Sequence, residues 1–170
     1  TDRTRVISPI NDRSWAYNPQ VKPYEYNLES GKTLLQKQQS TNADFDPSLT
    51  ITTTPTYNDI AEAIAANWHS IGIPTKVSIV AYPDPNDYQV LLIGQEIPSD
   101  PDQYALWHST QSTNITHYQN PKIDKLLEDA RQEMDQEKRK ALYHDFQRFL
   151  VEDSPAAFLH QLTLYTINRI

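Results

Sequence analysis

The chain has 170 residues, of which 38% are hydrophobic, with a formal net charge of −7 and no cysteine. This length suits one domain that buries roughly 70% of the surface of its unfolded chain. The lack of cysteine excludes disulfides, thiolate metal ligands and a cysteine nucleophile. No block of Lys and Arg suggests binding to a nucleic-acid backbone, and no segment approaches the ~20 apolar residues that span a bilayer.

Residues 1–27 contain three prolines and several aromatic residues, which predicts an irregular lead-in that is extended where proline restricts the preceding residue. The start is polar and has no initiator methionine, so we expect an excised piece of a longer protein. Asn27 is then a suitable N-cap for a short helix over residues 28–39.

The next segments predict a strand, a helix and two further strands. Residues 49–54 are rich in β-branched side chains, a helical spacing of apolar residues follows from Tyr57 until Gly72, and residues 75–82 alternate as a strand does. Strand, helix and strand at this spacing form a βαβ unit with parallel strands. The continuous apolar run within residues 87–94 predicts a central strand covered on both faces.

Two helices follow: the first has Asn120 as its N-cap and Pro121 at the first helical position, and the second begins at Asp135 and ends at Ser154-Pro155. On the second helix we expect Leu142, Phe146, Phe149 and Leu150 to form the buried stripe. Residues 156–167 predict a final extended segment. Together these elements predict an α/β fold, with a small mixed sheet flanked by helices.

The stretch after the apolar strand, GQEIPSDPDQYALWHSTQ, contains the first candidate carboxylates. Residues 100–103 match a capping box, in which Asp100 accepts a backbone hydrogen bond, Pro101 begins the helix and Gln103 reaches back. The alternative is that Asp100 binds a ligand or acts in catalysis, with Glu96 as a nearby acid.

The sequence contains little that indicates a metal-binding site or a hydrolase active site. None of the five histidines has the H-x-x-x-H or H-x-H spacing of metal ligands, although His108 and His117 remain a possible pair in one loop. No G-x-S-x-G motif surrounds Ser109 or Ser112, and three glycines make no phosphate-binding loop. We therefore expect no enzyme activity, no bound metal and no cofactor.

Five segments, taken in order, resemble the C-terminal lobe of the family 5 extracellular solute-binding proteins, the peptide-, oligopeptide- and nickel-binding receptors of ABC importers. The resemblance covers nearly all residues from about 9 to 168. It rests on these segments: YEYNLESGKTLLQKQ, IAEAIAANWHSIGIPTKV, DYQVLLIGQEIPSDPDQY, WHSTQSTNITHYQNPKIDKLLEDAR and KRKALYHDFQRFLVEDSPAAFLH.

The resemblance implies one lobe of a two-lobed, periplasmic-binding-protein-like (class II) fold over residues 1–170. Residues 154–170 would return toward a missing N-terminal lobe. The parent receptor would lie outside the cytoplasm, in the periplasm or as a membrane-anchored lipoprotein. It would bind a peptide or other small solute between its lobes and deliver it to an ABC permease. The surface that faces the missing lobe would favour self-association of the fragment.

The same resemblance places the loop after the apolar strand in the inter-lobe cleft. Peptide-binding members carry an aspartate three residues before the Asp-Pro pair to hold the ligand's α-ammonium group, whereas this chain has Ile97 there, next to Glu96. This departure argues against a free peptide N-terminus and favours longer, blocked or non-peptide ligands.

Eight residues are candidate ligand-binding residues. They are Gly94, Gln95, Glu96, Ile97, Tyr104, Trp107, Asn114 and Tyr118. Asn114 and Tyr118 match the family's Asn-x-x-x-Tyr segment and would line the cleft or support the lobe. For the aromatic residues the alternative is packing in a core. A freestanding interaction domain, or a hydrolase that uses Asp100 and His108, remains the alternative function.

Overall fold

The computed structural model describes residues 3–97 and 99–162. Within this part of the chain, none of the helices combines the length and apolar character needed to cross a membrane. Two compact units are present: Glu25–Gln95 form the sheet unit, and the chain up to Tyr24 together with the chain from Glu96 onward forms the helical unit.

The helices and strands follow in chain order. They are β1 (Arg3–Arg5), α1 (Leu28–Thr41), β2 (Leu49–Thr53), α2 (Asn58–Ser70), β3 (Thr75–Ile79), β4 (Val90–Leu92), α3 (Tyr104–Trp107), α4 (Pro121–Gln132), α5 (Gln136–Asp153) and β5 (His160–Leu162). A short 3₁₀ helix, Pro55–Tyr57, joins β2 to α2.

The sheet unit contains a three-stranded parallel sheet with β2 in the middle, paired with β3 on one side and β4 on the other. The parallel βαβ unit is thus confirmed. The central position predicted for residues 87–94 is wrong, because within the described residues β4 is an edge strand only three residues long. The most buried strand is β2, in which Ile51 and Thr53 have no exposed surface while the other three residues are partly buried. An apolar run indicates that side chains are buried, but it does not indicate which strands pair. Val90 and Leu92 are partly buried because they pack against the cluster of Ile51, Ala61 and Ala65, the last two of which belong to α2.

Helix α2 covers the sheet through two small residues, Ala61 and Ala65, which are buried beside Ile51. Their short side chains let the helix approach the strands closely. The helix ends as predicted at Gly72, which has φ = +96°. The Gly72 N–H donates to the His69 carbonyl and the Ile73 N–H to the Trp68 carbonyl, both at 3.0 Å, which is the Schellman arrangement.

Local caps also begin the other long helices where the sequence predicts. The Asn27 side chain accepts from the Ser30 N–H at 2.9 Å, Asn120 from the Lys122 N–H at 2.9 Å, and Asp135 from the Lys138 N–H at 3.0 Å. Each bond satisfies one of the N–H groups that a helix start leaves without an intrahelical partner.

The helical unit is built on the pairing of α4 with α5. Its core contains these buried residues: Ile10, Ala16, Trp107, Ile123, Leu127, Ala130, Tyr143, Phe146 and Leu150. The N-terminal segment therefore contributes to the core, although it is irregular after β1. Strand β1 pairs antiparallel with β5. The predicted extended segment over residues 156–167 is described only to residue 162, and residues 163–167 lie outside the described residues.

The buried stripe of α5 differs from the predicted one, because it includes Tyr143 and Gln147 while Leu142 and Phe149 are only partly buried. Gln147 has no exposed surface, and its amide is fully used. Its oxygen accepts from the Ser8 hydroxyl at 3.0 Å and the Asn18 N–H at 3.2 Å, while its nitrogen donates to two backbone carbonyls. Four hydrogen bonds offset the cost of burying the amide and fix the N-terminal segment to α5.

Candidate functional site

The carboxyl ends of the three parallel strands lie at one edge of the sheet. In open α/β sheets this edge is where ligands usually bind, because loops there can diverge around a crevice. The segment after β4 leaves the sheet at this edge, and Gly94, Gln95 and Glu96 are exposed while Ile97 is half-buried. The four candidate residues that follow the apolar strand are thus accessible.

Gly94 lies tightly against Tyr57, a residue of the 3₁₀ helix that follows β2. A Cβ atom added at Gly94 would stand 2.0 Å from the Tyr57 Oη atom and 3.0 Å from its Cζ atom. The Thr53 hydroxyl donates to the Leu92 carbonyl at 2.8 Å, which ties the end of β4 to the end of β2. Tyr57 was not among the predicted site residues. Its place just after a parallel strand was the signal that could have identified it.

A second aromatic residue follows β3 at the same edge. Tyr82 is 94% exposed. An exposed phenol ring has an apolar face and a hydrogen-bonding tip, which suits contact with a ligand. The edge therefore combines exposed backbone at Gly94 and Gln95 with aromatic surface.

The candidate residues on α3 have different environments. Trp107 is 7% exposed, packs edge-on against Phe158 with 6.1 Å between ring centroids, and donates from Nε1 to the Gln103 Oε1 atom at 3.3 Å. This burial favours the packing alternative for Trp107. Tyr104 is half-buried and stacks on His108 with 4.2 Å between ring centroids.

The capping box predicted for residues 100–103 is wrong in register, since α3 begins at Tyr104. Asp100 accepts from the Asp102 N–H at 2.9 Å, as predicted, but it also receives both terminal nitrogens of Arg139, at 2.9 and 3.2 Å. Gln103 turns inward to Trp107 instead of reaching back. The Arg139 guanidinium holds the pKa of Asp100 below its usual value. Asp100 therefore has a structural ion pair.

Asn114 and Tyr118 are brought together within the segment that joins α3 to α4. Asn114 is 3% exposed, its amide donates to the carbonyls of His108 (3.4 Å) and Tyr118 (2.9 Å), and its oxygen accepts from the Thr116 hydroxyl at 2.8 Å. These contacts are those of a residue that supports the loop. They favour support over ligand contact for the Asn114 side chain.

Tyr118 fastens the end of this segment to α5. Its hydroxyl donates to the Asp153 carboxylate, and the Asn120 amide donates to both groups, at 2.9 and 2.8 Å. Burial, and then the hydrogen bond to Asp153, raise the pKa of Tyr118, while the same bond lowers the pKa of Asp153. Asp153 was not predicted, and its position 35 residues along the chain left no local signal.

The groups proposed for hydrolysis or metal binding are engaged otherwise. His108 is 4% exposed with both ring nitrogens in hydrogen-bonding contacts, and the Ser109 hydroxyl donates to Asp124 at 2.5 Å. His117 is exposed, with φ = 53°. Among the described residues, no group of three or more His, Asp or Glu side chains is placed to hold a metal ion.

The amino-terminal edge of the sheet carries an open depression of about 490 Å³ lined by polar residues. Most of these side chains already bond within the protein. The Gln89 oxygen accepts from the Thr50 N–H at 2.7 Å, Asp46 from the Ser48 N–H at 2.8 Å, and the His69 Nε2 atom from the Thr75 N–H at 3.2 Å. Most polar side chains of this depression are thus engaged within the protein.

Comparison with known proteins identifies several relatives. The oligopeptide-binding protein AppA of Bacillus subtilis is 29% identical over 89% of this chain and 33% of its own length. The structure of AppA in complex with a nonapeptide gives a TM-score of 0.84 at 28% identity, covering 94% of this chain and 36% of that chain. No family model matches the sequence.

Two further structures are similar. DppA from Helicobacter pylori, in complex with the peptide STSA, gives a TM-score of 0.81 at 27% identity, over 93% of this chain and 33% of that chain. NikZ from Campylobacter jejuni, in complex with Ni(L-His), gives a TM-score of 0.83 at 27% identity. The match covers 93% of this chain and 36% of the NikZ chain. The chain spans about a third of the length of these proteins. By sequence and by fold the chain is similar to about one third of the length of these peptide- and nickel-binding proteins.

Proposed function

We propose that this chain supplies part of the ligand-binding surface of an extracytoplasmic receptor, which binds a peptide or related small solute and delivers it to an ABC permease. The observation that carries the proposal is the segment 94–97, exposed over residues 94–96, which follows the carboxyl end of a parallel strand in a chain similar to proteins solved with bound peptides. The role is binding without catalysis, in keeping with the names of these relatives.

The chemistry of segment 94–97 indicates which ligands it would accept. Its backbone N–H and C=O groups can pair with an extended chain as an added strand does. Ile97 cannot attract a cation, so within this segment Glu96 is the residue that could take the place of the missing aspartate. A ligand that extends beyond a short free peptide N-terminus fits this arrangement best.

Capture would occur between two lobes, and closure would be stabilised by ligand contacts made on both sides. Because the chain spans about a third of its relatives, it supplies only some of those contacts. We therefore expect the isolated chain to bind peptides more weakly than micromolar. Isothermal titration calorimetry that finds micromolar binding to the isolated chain would contradict this expectation.

The test of the function starts from the longest natural receptor that contains these residues, purified from its host. Mass spectrometry is expected to find one small solute per protein, and calorimetry with that solute is expected to reproduce binding. A receptor that carries no solute and binds none of a peptide library would refute the proposal.

The role of Glu96 is tested separately in the same receptor. If the solute is cationic, Glu96→Gln is expected to weaken its binding by about tenfold or more, the effect of losing one charge-assisted contact. Glu137→Gln, which changes an exposed carboxylate in the first turn of α5, is the matched control and is expected to leave affinity unchanged. Equal effects of both substitutions would remove Glu96 from the site.

A further inference from the structure

The imidazole of His108 is a buried titratable group that the binding function does not use. His108 follows directly on α3 and begins the loop over residues 108–118, which carries Asn114 and Tyr118. Its backbone carbonyl accepts from the Gln111 N–H at 3.0 Å and from the Asn114 amide at 3.4 Å. The position of His108 is thus coupled to the fold of the whole loop.

The hydrogen bonds of the ring define its tautomer. The backbone N–H of Thr110 donates to the His108 Nδ1 atom at 3.3 Å. A backbone N–H can only donate, so Nδ1 must be unprotonated. The Thr110 hydroxyl lies 2.9 Å from the same atom and itself accepts from the Gln111 amide at 3.1 Å, which leaves its own hydrogen free to point at Nδ1. The ring proton therefore resides on Nε2, 3.3 Å from the Glu128 carboxylate.

Charged and titratable groups face the ring from both neighbouring helices. Tyr104 of α3 stacks on it, and the Arg131 guanidinium of α4 lies over the Tyr104 ring at 4.0 Å from its centroid. From α4, Glu128 faces Nε2, and the Asp124 Oδ1 atom lies 3.9 Å from Nδ1. Asp124 is already occupied by the Ser109 N–H at 2.8 Å and the Ser109 hydroxyl.

A second proton on the ring would change these contacts in a defined way. Placed on Nδ1, it removes the acceptor that holds the Thr110 N–H and sets two donors against each other. The resulting imidazolium attracts Asp124, which must then be shared with Ser109. Both changes loosen the turn formed by residues 108–111.

We propose that His108 is a positioning residue whose protonation releases the loop 108–118. Its neutral Nε2–H form holds the turn, and its protonated form lets the loop rearrange. The inference rests on the proposed function and extends it, because this loop carries Asn114 and Tyr118, which the sequence predicts to line or support the binding cleft. The receptor would then hold solute differently when this ring is protonated.

Nuclear magnetic resonance on the chain, without ligand, tests this inference. Long-range ¹H–¹⁵N correlation of the His108 ring is expected to show the Nε2–H tautomer at pH 8. As the ring titrates, the protection of the Thr110 amide against hydrogen exchange, corrected for the intrinsic rate, is expected to fall about tenfold, the effect of one lost hydrogen bond.

Two variants complete the experiment. In His108→Asn the side-chain oxygen can accept from the same N–H as in an Asx turn, so protection of the Thr110 amide should persist and no longer depend on pH. His117→Asn changes the exposed histidine of the same loop and should behave as the wild type. An Nδ1–H tautomer, a His108 that stays neutral to pH 5, protection that ignores its titration, or a pH-dependent loss retained in His108→Asn would each overturn the inference.

The two proposals fail separately. Because neither measurement uses a solute, a receptor that binds nothing would refute the proposed function and leave the His108 result readable. A binding receptor whose Thr110 protection does not follow His108 would refute only this inference.

Discussion

Replacing Arg139 is expected to destabilise the helical unit more than any exposed ion pair does. Besides its two bonds to Asp100, the Arg139 Nε atom donates to the Ala130 carbonyl at 2.9 Å, at the end of α4, and Nη2 donates to the Tyr143 hydroxyl at 3.1 Å. Its side chain is 22% exposed, against 57% for Asp100. One guanidinium thus joins α4, α5 and the segment before α3.

The magnitude follows from these contacts. The ion pair contributes about 1 kcal/mol, because the exposure of Asp100 screens it despite the two-pronged geometry. The bond to the Ala130 carbonyl and that to Tyr143 add about 1–2 kcal/mol together. Arg139→Met should therefore lower the free energy of unfolding by about 2–3 kcal/mol, and Tm by roughly 4–12 °C for a chain of this size. Arg139→Lys keeps the charge but cannot make the paired hydrogen bonds of the guanidinium. It should therefore lower the free energy of unfolding by about 1–2 kcal/mol.

Urea denaturation of Arg139→Met, Asp100→Asn and the double variant measures the coupling of the pair. We expect about 1 kcal/mol at pH 7. Since the pKa of Asp100 is lowered in the folded protein, the pair stabilises the fold above about pH 4, the ordinary value of an Asp carboxyl, and this stabilisation disappears as pH falls through the folded pKa.

The matched control is Lys125→Ala, which removes an exposed ion pair along α4 and should cost less than about 0.5 kcal/mol. If Arg139→Met lowers the free energy of unfolding no more than Lys125→Ala does, or if the coupling energy is near zero, the predicted role of Arg139 is wrong. Loss of solute binding in Asp100→Asn without loss of stability would instead return Asp100 to the binding site.

Two other substitutions test the site. Gly94→Ala should cost about 1–3 kcal/mol in urea denaturation, because the new Cβ meets the Tyr57 hydroxyl, and adding Tyr57→Phe should recover part of the loss; no recovery would contradict this contact. Tyr118→Phe should cost about 1 kcal/mol at pH 7. Because the folded pKa of Tyr118 is raised, the wild type's advantage should persist below about pH 10 and diminish above it, and a difference that ignores pH would refute the role of the Asp153 bond.

The parts of the fold that depend on local chemistry could be predicted from the sequence. Asn27, Asn120 and Asp135 begin helices because a short polar side chain can accept from an N–H two or three residues ahead. Gly72 ends α2 because it takes a positive φ at no steric cost. Each of these signals lies within a few residues of the feature that it determines.

The sequence-based predictions are wrong where the structure depends on contacts between residues that are far apart in the chain. The order of strands in a sheet depends on which neighbours pair, and the apolar run at residues 90–92 is compatible with either a central or an edge position. The predicted capping box is not formed: Asp100 pairs with Arg139, 39 residues away, and Gln103 bonds to Trp107. Gln147 reads as polar surface in the sequence, yet it is buried because Ser8 and Asn18 complete its hydrogen bonds.

The candidate site likewise has features that the sequence predicts and features that it does not. The exposure of residues 94–96 follows from their place directly after a parallel strand, which the sequence shows. Whether an aromatic residue faces a ligand or a core depends on the rest of the fold, and the burial of Trp107 against Phe158 could not be deduced from its spacing.

Hydrogen exchange followed by mass spectrometry, on the longest natural receptor with and without its co-purified solute, tests the central claim most directly. We predict that solute slows exchange in peptides covering residues 94–97, at the carboxyl edge of the sheet, and leaves residues 46–50, at the opposite edge, unchanged. Protection of residues 46–50 with no change at residues 94–97 would contradict the account.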